Sequence, residues 1–300
     1  MSKQRKVLII VNPASGRSQR RSALDDLVRR IRDANHAITI HTTGGAGDAR
    51  TASRDACGDN TDLIVVSGGD GTISEVIDGM IGDGIAILVV PGGTENIVAR
   101  YLGLPSDPDS LWDVFENGSE VRLDIPRRNG RRFLLVAGVG SDGEVARRLA
   151  ERRCGNITHL SYAIPIWQTL WGYRIAPLSV EADGRMIHEG PGWVLIGNIP
   201  LYALGLHILG KAKPDDGLLD VCVFPARGTV RLLKYAIKAL FHRHLRDPSV
   251  IYTQARSVCI RSEVRVPVQV DGDFDGWLPV TFDLAPNQAR FLVKTPVRMY

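Results

Sequence analysis

Cysteine is scarce in this chain. Four residues, Cys57, Cys154, Cys222 and Cys259, stand far apart, with no C-x-x-C pair and no histidine at metal-ligand spacing. The scarcity argues against zinc and against a disulfide framework, and it leaves buried, reduced thiols. Long apolar runs are lacking too. The longest, Trp193 to Gly210, is interrupted by Asn198, Pro200, His207 and three glycines. A membrane-spanning helix needs about 20 predominantly apolar residues, so this stretch reads as buried strand and loop. The basic start, Lys3, Arg5 and Lys6, precedes an apolar run, Val7–Val11, that is too short for a signal peptide and ends at Asn12-Pro13. The expected location is the cytoplasm. Excess charge is small: net +4 over 300 residues, carried mostly by arginine. That balance suits phosphate ligands or an anionic membrane surface, and it is too small and dispersed to point to nucleic acid. Low-complexity tracts and solenoid repeats are absent.

What is present is ordinary globular usage, 44% hydrophobic and 23% charged, at a length that suits two domains. The first 105 residues alternate between two periods. The continuous apolar run Val7–Val11 predicts a strand buried on both faces, and Ile38–His41, Leu63–Val66 and Ile85–Val90 predict three further strands. Between and after them, Arg20–Ala34, Ala46–Cys57, Thr72–Met80 and Glu95–Leu102 have helical spacing. Four such units predict an open parallel sheet, whose ligands sit at the carboxyl ends of the strands. After about residue 120 the runs are short and β-rich: Val121–Ile125, Phe133–Ala137, Ser179–Ala182, Val194–Ile196, Leu219–Phe224, Val258–Arg261 and Val266–Val270. Asp183-Gly184 reads as a hairpin turn, and helices interrupt near Asp142–Arg153 and Val230–His244. The expected division is an α/β domain over 1–124 and a mainly antiparallel β-sandwich over 125–288.

Three strands of the first domain end in loops with phosphate chemistry: Asn12-Pro13-Ala14-Ser15-Gly16, Gly68-Gly69-Asp70-Gly71-Thr72 and Pro91-Gly92-Gly93-Thr94-Glu95-Asn96. Glycine lets the backbone approach an anion. N–H groups at a helix start and the hydroxyls of Ser15, Thr72 and Thr94 supply donors. A carboxylate at Asp70 would repel phosphate unless it held Mg²⁺ or a cationic group, which suggests phosphoryl transfer. Any one of these loops could be an ordinary strand–helix turn; three on one sheet edge argue for a ligand. Neither a P-loop nor a dinucleotide fingerprint occurs.

With these residues the chain resembles the diacylglycerol kinase catalytic-domain family, which includes bacterial diacylglycerol kinases and the sphingosine and ceramide kinases. N-P-x-S-G at 12–16, V-S-G-G-D-G-T at 66–72, Glu75 and P-x-G-T-x-N at 91–96 carry the likeness. So do Ala137-Gly138-Val139-Gly140 with Asp142, Pro214-Asp215-Asp216-Gly217-Leu218-Leu219-Asp220 and Val270-Asp271-Gly272-Asp273. G-G-D-G-T alone is shared with NAD kinases and phosphofructokinases. The resemblance implies a nucleotide-binding α/β domain, a β-sandwich, and a last strand, Ala289–Tyr300, that returns to the first domain. It implies ATP contacts from Asn12, Pro13, Ala14, Ser15, Gly16, Thr43, Gly68, Gly69, Asp70, Gly71, Thr72, Ile73, Ser74 and Thr94. Thr43 otherwise reads as a solvent-facing loop residue. The implied structural Mg²⁺ is held by the Asp216 carboxylate and the carbonyls of Lys213 and Leu218; the plain alternative is a turn before a strand. Two positions depart from the family pattern. Asn96-Ile97 stands where most members have Asn-Asp, and Asp271-Gly272-Asp273 stands for Asp-Gly-Glu. The family's proton acceptor is the third residue, so that role falls on Asp273, with Asp271 as the competing carboxylate.

The activity implied is ATP-dependent phosphorylation of a lipid hydroxyl by a cytoplasmic protein in peripheral contact with a membrane. Residues 227–246 form a basic amphipathic stretch. Leu233, Ile237, Leu240 and Phe241 lie on one face, and Arg231, Lys234 and Lys238 on another. It reads either as a surface helix packed on the sandwich or as a helix docking through its basic face. The apolar segment from His159, Leu160, Ser161 and Tyr162 through Ile164, Ile166, Trp167, Leu170 and Trp171 reads as an acyl-chain lining or as core. A homodimer is compatible with the sequence. Two other functions remain open. A kinase for a soluble substrate such as NAD would share the second loop, but the first loop and the Asp271–Asp273 segment argue against it. Ile97 and Asp273 leave room for a catalytically silent nucleotide- or lipid-binding protein.

Overall fold

The computed structural model describes residues 4–15, 18–80, 82, 84–93, 95–152, 159–202, 205–285 and 289–294. Its contacts form two compact units, Met1–Ile125 with Pro286–Tyr300, and Pro126–Ala285. Unit one runs β1 (Lys6–Val11), α1 (Ser18–Asp33), β2 (Ala37–Thr42), α2 (Asp48–Gly58), β3 (Leu63–Gly68), α3 (Asp70–Gly79) and β4 (Ala86–Pro91), then α4 (Ile97–Tyr101), α5 (Pro108–Asn117) and β5 (Ser119–Leu123). Unit two runs β6 (Pro126–Arg128), β7 (Arg131–Arg132), β8 (Val136–Val139), α6 (Ser141–Glu151), α7 (His159–Gly172), β9 (Pro177–Ala182), β10 (Arg185–Gly197) and β11 (Leu219–Pro225). It continues with α8 (Thr229–Leu240), β12 (Ile251–Ala255), β13 (Ser257–Arg261), β14 (Pro267–Val270), β15 (Asp273–Trp277) and β16 (Val280–Leu284). The chain then returns β17 (Ala289–Val293) to unit one.

The first sheet has the order β2-β1-β3-β4-β17-β5. Strands β1, β3 and β4 are central, and the apolar runs that predict them are buried along their length. Because these three are adjacent and parallel, their carboxyl ends lie side by side on one edge. The sheet is not wholly parallel: β5 pairs antiparallel with β17. The run Val121–Ile125, at the expected boundary between the domains, contributes β5 to this first sheet. On one face, Leu27 and Ile31 of α1 and Leu111 and Phe115 of α5 pack over Val7, Ile9, Val65 and Leu88. Leu27 and Ile31 are fully buried, and truncating either to Ala would cost about 2–5 kcal/mol. Helix α5 starts where Asp107 accepts from the Ser110 N–H at 2.9 Å, with Pro108 in the first turn.

Unit two is an antiparallel sandwich of two layers. The long β10 passes from one to the other: Arg185–Pro191 pairs with β9, and Gly192–Gly197 with β11 and β8. Val194, Ile196, Val221, Val223, Val258, Ile260, Val268 and Phe282 fill the core between the layers. Asp183 and Gly184 both have positive φ, 48° and 75°, as a two-residue hairpin turn requires. The run Phe133–Ala137 is strand only from Val136. Leu134 and Leu135 give their backbone N–H groups to the Asp271 carboxylate instead of to a neighbouring strand. Cys222 is fully buried, and desolvation raises its thiol pKa, so it stays a neutral thiol. Cys57 and Cys259 are half-buried, not core, and Cys154 lies outside the described residues.

Candidate active site

The three glycine loops are joined by direct hydrogen bonds. Asn12 gives its backbone N–H to Ser67 O at 2.9 Å, and its side-chain amide to Thr72 Oγ1 at 2.9 Å. Its own Oδ1 accepts from the Ala14 N–H at 3.0 Å, and Ser15 Oγ donates to its carbonyl at 2.9 Å. The first loop is thereby folded against the second. Gly92 N–H donates to Gly68 O at 2.9 Å, joining the second loop to the third. Asp70 extends this join. Its two oxygens accept from the backbone N–H groups of Ile97 and Val98 at 2.9 and 3.0 Å, so the carboxylate holds the start of α4. An ionised carboxylate has about four lone-pair sites, so the same group can also meet a cation. Ile97 donates only its backbone to this junction and buries its side chain. Asn96 takes positive φ, 48°, and binds Gly93 through both ends of its amide. Glu75 accepts from the Gly47 N–H at 2.9 Å and so fastens the loop before α2 to α3.

The glycines divide by physical cause. A Cβ on Gly93 would lie 2.6 Å from the Gly69 Cα, and one on Gly92 3.1 Å from the Gly68 backbone, so those pairs are small because the two loops touch. Gly71 differs. A Cβ there meets nothing within 4 Å, and its φ is not positive. Neither packing nor backbone strain requires glycine at this exposed residue in the first turn of α3.

The other residues proposed for the nucleotide are distributed as follows. Pro13 and Ala14 are exposed, and Ser74 is half-buried on α3. The side chains of Thr72 and Ile73 are buried, and their backbone N–H groups both donate to Gly69 O, at 3.0 and 3.2 Å. Thr43 is buried and gives its N–H to Val11 O at 2.8 Å, so it is not a solvent-facing loop residue. Gly16 and Thr94 lie outside the described residues. A cavity of about 580 Å³ opens beside the first loop, lined by Val11, Asn12, Ser15, Arg29, Ile40 and Thr42. That volume is within the usual range for a small-molecule site.

In unit two, Asp271 and Gly272 form the two-residue turn between β14 and β15, with φ of 51° and 90°. Asp271 accepts from the N–H groups of Leu134, Leu135 and Val136 at 2.8, 2.8 and 3.3 Å. Its carboxylate is committed to the backbone. Asp273, the first residue of β15, is exposed. The turn is also held from behind. Gln269 Oε1 accepts from the Gly272 N–H at 2.8 Å, and Gln269 Nε2 donates to Asp142 Oδ2 at 2.6 Å. The Tyr202 hydroxyl donates to the other oxygen of Asp142. The Asp142 carboxylate lies so close to Gly138 that a Cβ there would sit 1.9 Å from Oδ2. Desolvation in this enclosure raises the Asp142 pKa, opposed by the two hydrogen bonds. Sequence reading missed Gln269, although a buried glutamine inside the apolar run Val266–Val270 is a usable signal.

For the expected magnesium, Asp216 is exposed. It accepts from the Leu218 N–H and the Gln254 amide, each at 3.1 Å. Asp220 is fully buried. One oxygen accepts from Tyr252 OH at 2.6 Å, and the other has no partner among the described residues. Desolvation, together with the nearby Asp216 charge, raises the pKa of Asp220. An orphaned buried carboxylate oxygen beside a second carboxylate, in a set of oxygen donors, fits a hard divalent cation. Among the described residues no cluster of three or more His, Cys, Asp or Glu offers a metal cage; a site completed by the carbonyls of Lys213 and Leu218 needs none.

The basic stretch is a surface helix packed on the sandwich, through a stripe other than its four large apolar residues. Helix α8 buries Leu232, Tyr235 and Ala239, while Leu233, Ile237, Leu240 and Phe241 are exposed. Lys234 and Lys238 both bridge to Asp247, at 3.1 and 2.7 Å, and Arg231 donates to Tyr235 OH at 3.1 Å. The cationic stripe stays at the surface but is partly paired within the chain. In α7, Ile164, Ile166, Trp167 and Trp171 are exposed, not core. The side chains of His159, Leu160, Ser161, Tyr162 and Leu170 lie outside the described residues. Among the described residues no helix is long and apolar enough to cross a membrane.

The chain thus joins a mostly parallel sheet edged by three glycine loops to an antiparallel sandwich with an acidic turn. Residues 6–127 match the diacylglycerol kinase catalytic domain, and residues 135–293 match the YegS C-terminal NAD kinase beta sandwich-like domain. The diacylglycerol kinase of Bacillus subtilis is 30% identical over 91% of this chain and 91% of its own. That of Staphylococcus carnosus is 30% identical over 93% and 92%. The crystal structure of a diacylglycerol kinase from Bacillus anthracis superposes with a TM-score of 0.74 over 99% of this chain and 100% of that one, at 22% identity, and bears on the fold. The chain belongs to the diacylglycerol kinase family of lipid kinases, for which ATP is the phosphoryl donor.

Proposed function

We propose that this protein transfers the γ-phosphoryl group of ATP to the hydroxyl of a lipid alcohol of the diacylglycerol type, at a membrane surface. The observation that carries the reading is the junction of three loops on one sheet edge, with Gly71 left bare in the first turn of α3. The substrate class follows the name of the relatives. In this reading the phosphates lie along Asn12–Ser15 and Gly68–Thr72, with Thr43, Ile73 and Ser74 alongside. Asp70 orients the phosphates while fixing α4. The lipid oxygen bonds to the γ-phosphorus as the bond from that phosphorus to the bridging oxygen breaks, and ADP leaves with the electron pair. Asp273 accepts the hydroxyl proton, because Asp271 is occupied by three backbone donors. Positioning and charge neutralisation carry most of such a transfer. Magnesium, when bound, supplies charge neutralisation at the phosphates and, at Asp216 with the carbonyls of Lys213 and Leu218, a structural tie for unit two. The test is ADP release with a short-chain diacylglycerol or with NAD as acceptor. Turnover on the diacylglycerol alone is expected; turnover on NAD alone would assign the protein to the soluble-substrate kinases.

A further inference from the structure

We infer that α7 and α8 together form the surface that docks this protein on an anionic lipid bilayer, and that their apolar side chains enter the membrane instead of the basic stripe resting on it. The inference rests on the lipid-kinase reading and deepens it. Helix α7 packs against α8 within unit two. Trp167 and Trp171 on α7 are 64% and 67% exposed, one turn apart, with ring centroids 5.6 Å from each other. On α8, Leu233, Ile237 and Leu240 repeat at i, i+4 and i+7, and Phe241 follows at 69% exposure. A helix needs one apolar stripe to pack, and α8 has spent Leu232, Tyr235 and Ala239 on that. The second stripe is surplus to folding. Exposed large apolar side chains clustered on two neighbouring helices mark a docking site.

Charge selects the occupant. The described part of α7 carries no charged side chain, and residues 226–246 contain Arg227, Arg231, Lys234, Lys238, Arg243 and Arg246 and no acid. Asp247 is buried and already bridged to two lysines. A second copy seated on this face by two-fold symmetry would set those cations against their own counterparts with no carboxylate to pair. Anionic headgroups complement them, with the apolar stripes below headgroup level and tryptophan at the interface.

The test uses the full chain with vesicles of one part phosphatidylglycerol to three parts phosphatidylcholine, and the double variant L240S/F241S. Both positions are exposed, so circular dichroism and melting temperature should match wild type. Vesicle affinity of the variant is expected to fall at least ten-fold, and its kcat on a monomeric short-chain diacylglycerol to stay unchanged. Wild-type binding should weaken in 0.5 M salt without vanishing. Equal binding by variant and wild type, complete loss of wild-type binding in salt, or a wild-type dimer that the variant abolishes would each overturn the proposal. If vesicles bind as described while no lipid is phosphorylated, the kinase reading fails and the docking surface stands. If the short-chain substrate turns over while wild type binds no vesicles, the docking surface fails and the kinase reading stands.

Discussion

Replacing Gly71 by alanine separates the ligand-binding account from the view that the glycine loops are merely tight turns. The built Cβ has no neighbour within 4 Å and φ is not positive, so the folded chain accepts it without strain. Gly71 lies within α3, where alanine is favoured over glycine by about 0.5–1 kcal/mol. For units of this size that corresponds to a rise in melting temperature of roughly 1–3 °C. The same methyl projects where a phosphate is argued to meet the backbone. Overpacking of that kind costs about 1–3 kcal/mol, so the Kd for ATP should rise roughly ten-fold or more. Calorimetric titration with ATP, beside a thermal melt, reads both effects on one sample. The contrasting variant is Gly93→Ala, whose Cβ would lie 2.6 Å from the Gly69 Cα and should lower the melting temperature. If Gly71→Ala binds ATP as wild type does, no ligand approaches that turn and the reasoning fails.

Four further outcomes are expected. Asp273→Asn should keep its melting temperature and ATP affinity while kcat falls about 10²–10⁴-fold, and Asp273→Glu should retain substantial activity; a kcat unchanged in Asp273→Asn would remove the base. Asp271→Asn should behave oppositely in the melt: losing one acceptor for buried N–H groups costs about 1–3 kcal/mol, several degrees in a thermal scan. Magnesium should raise the wild-type melting temperature, and Asp216→Ala or Asp220→Asn should abolish that rise; a rise retained in both variants would place the metal elsewhere. Asp142 has a folded-state pKa raised above its ordinary 3.8, so the stability it contributes is full below about pH 4 and is lost as pH climbs through the raised value. Asp142→Asn, with the Tyr202 hydroxyl rotating to accept, should flatten the decline in melting temperature between pH 4 and pH 8; an unchanged profile would show that the carboxylate is not the source.

The α/β-plus-sandwich architecture was legible because strands buried on both faces leave uninterrupted apolar runs. Val7–Val11, Leu63–Val66 and Ile85–Val90 became the three central strands whose ends carry the loops. Face and partner were not legible. Helix α8 has two apolar stripes at helical spacing, Leu232/Tyr235/Ala239 and Leu233/Ile237/Leu240, and periodicity alone cannot say which one packs. The run Phe133–Ala137 has strand composition, yet Leu134 and Leu135 bond to a side chain 136 or more residues away, which no local pattern encodes. Strand β5 lies at the expected domain boundary, and its partner β17 stands at the far end of the sequence, so no local pattern encodes that pairing. At the site, the motifs marked Asp70 and Asp271 as functional acids without revealing that both carboxylates hold backbone N–H groups. Asp220 closes the Pro214–Asp220 motif, and its missing partner emerges only from three-dimensional burial.

The central claim is phosphoryl transfer to a lipid hydroxyl, and the most direct measurement follows the label. Purified protein is incubated with γ-labelled ATP, magnesium and mixed vesicles containing diacylglycerol, and the organic extract is analysed by mass spectrometry and autoradiography. The account predicts a labelled lipid phosphate monoester whose formation depends on Asp273. Label confined to inorganic phosphate or to a water-soluble acceptor, with no lipid labelled, would contradict it.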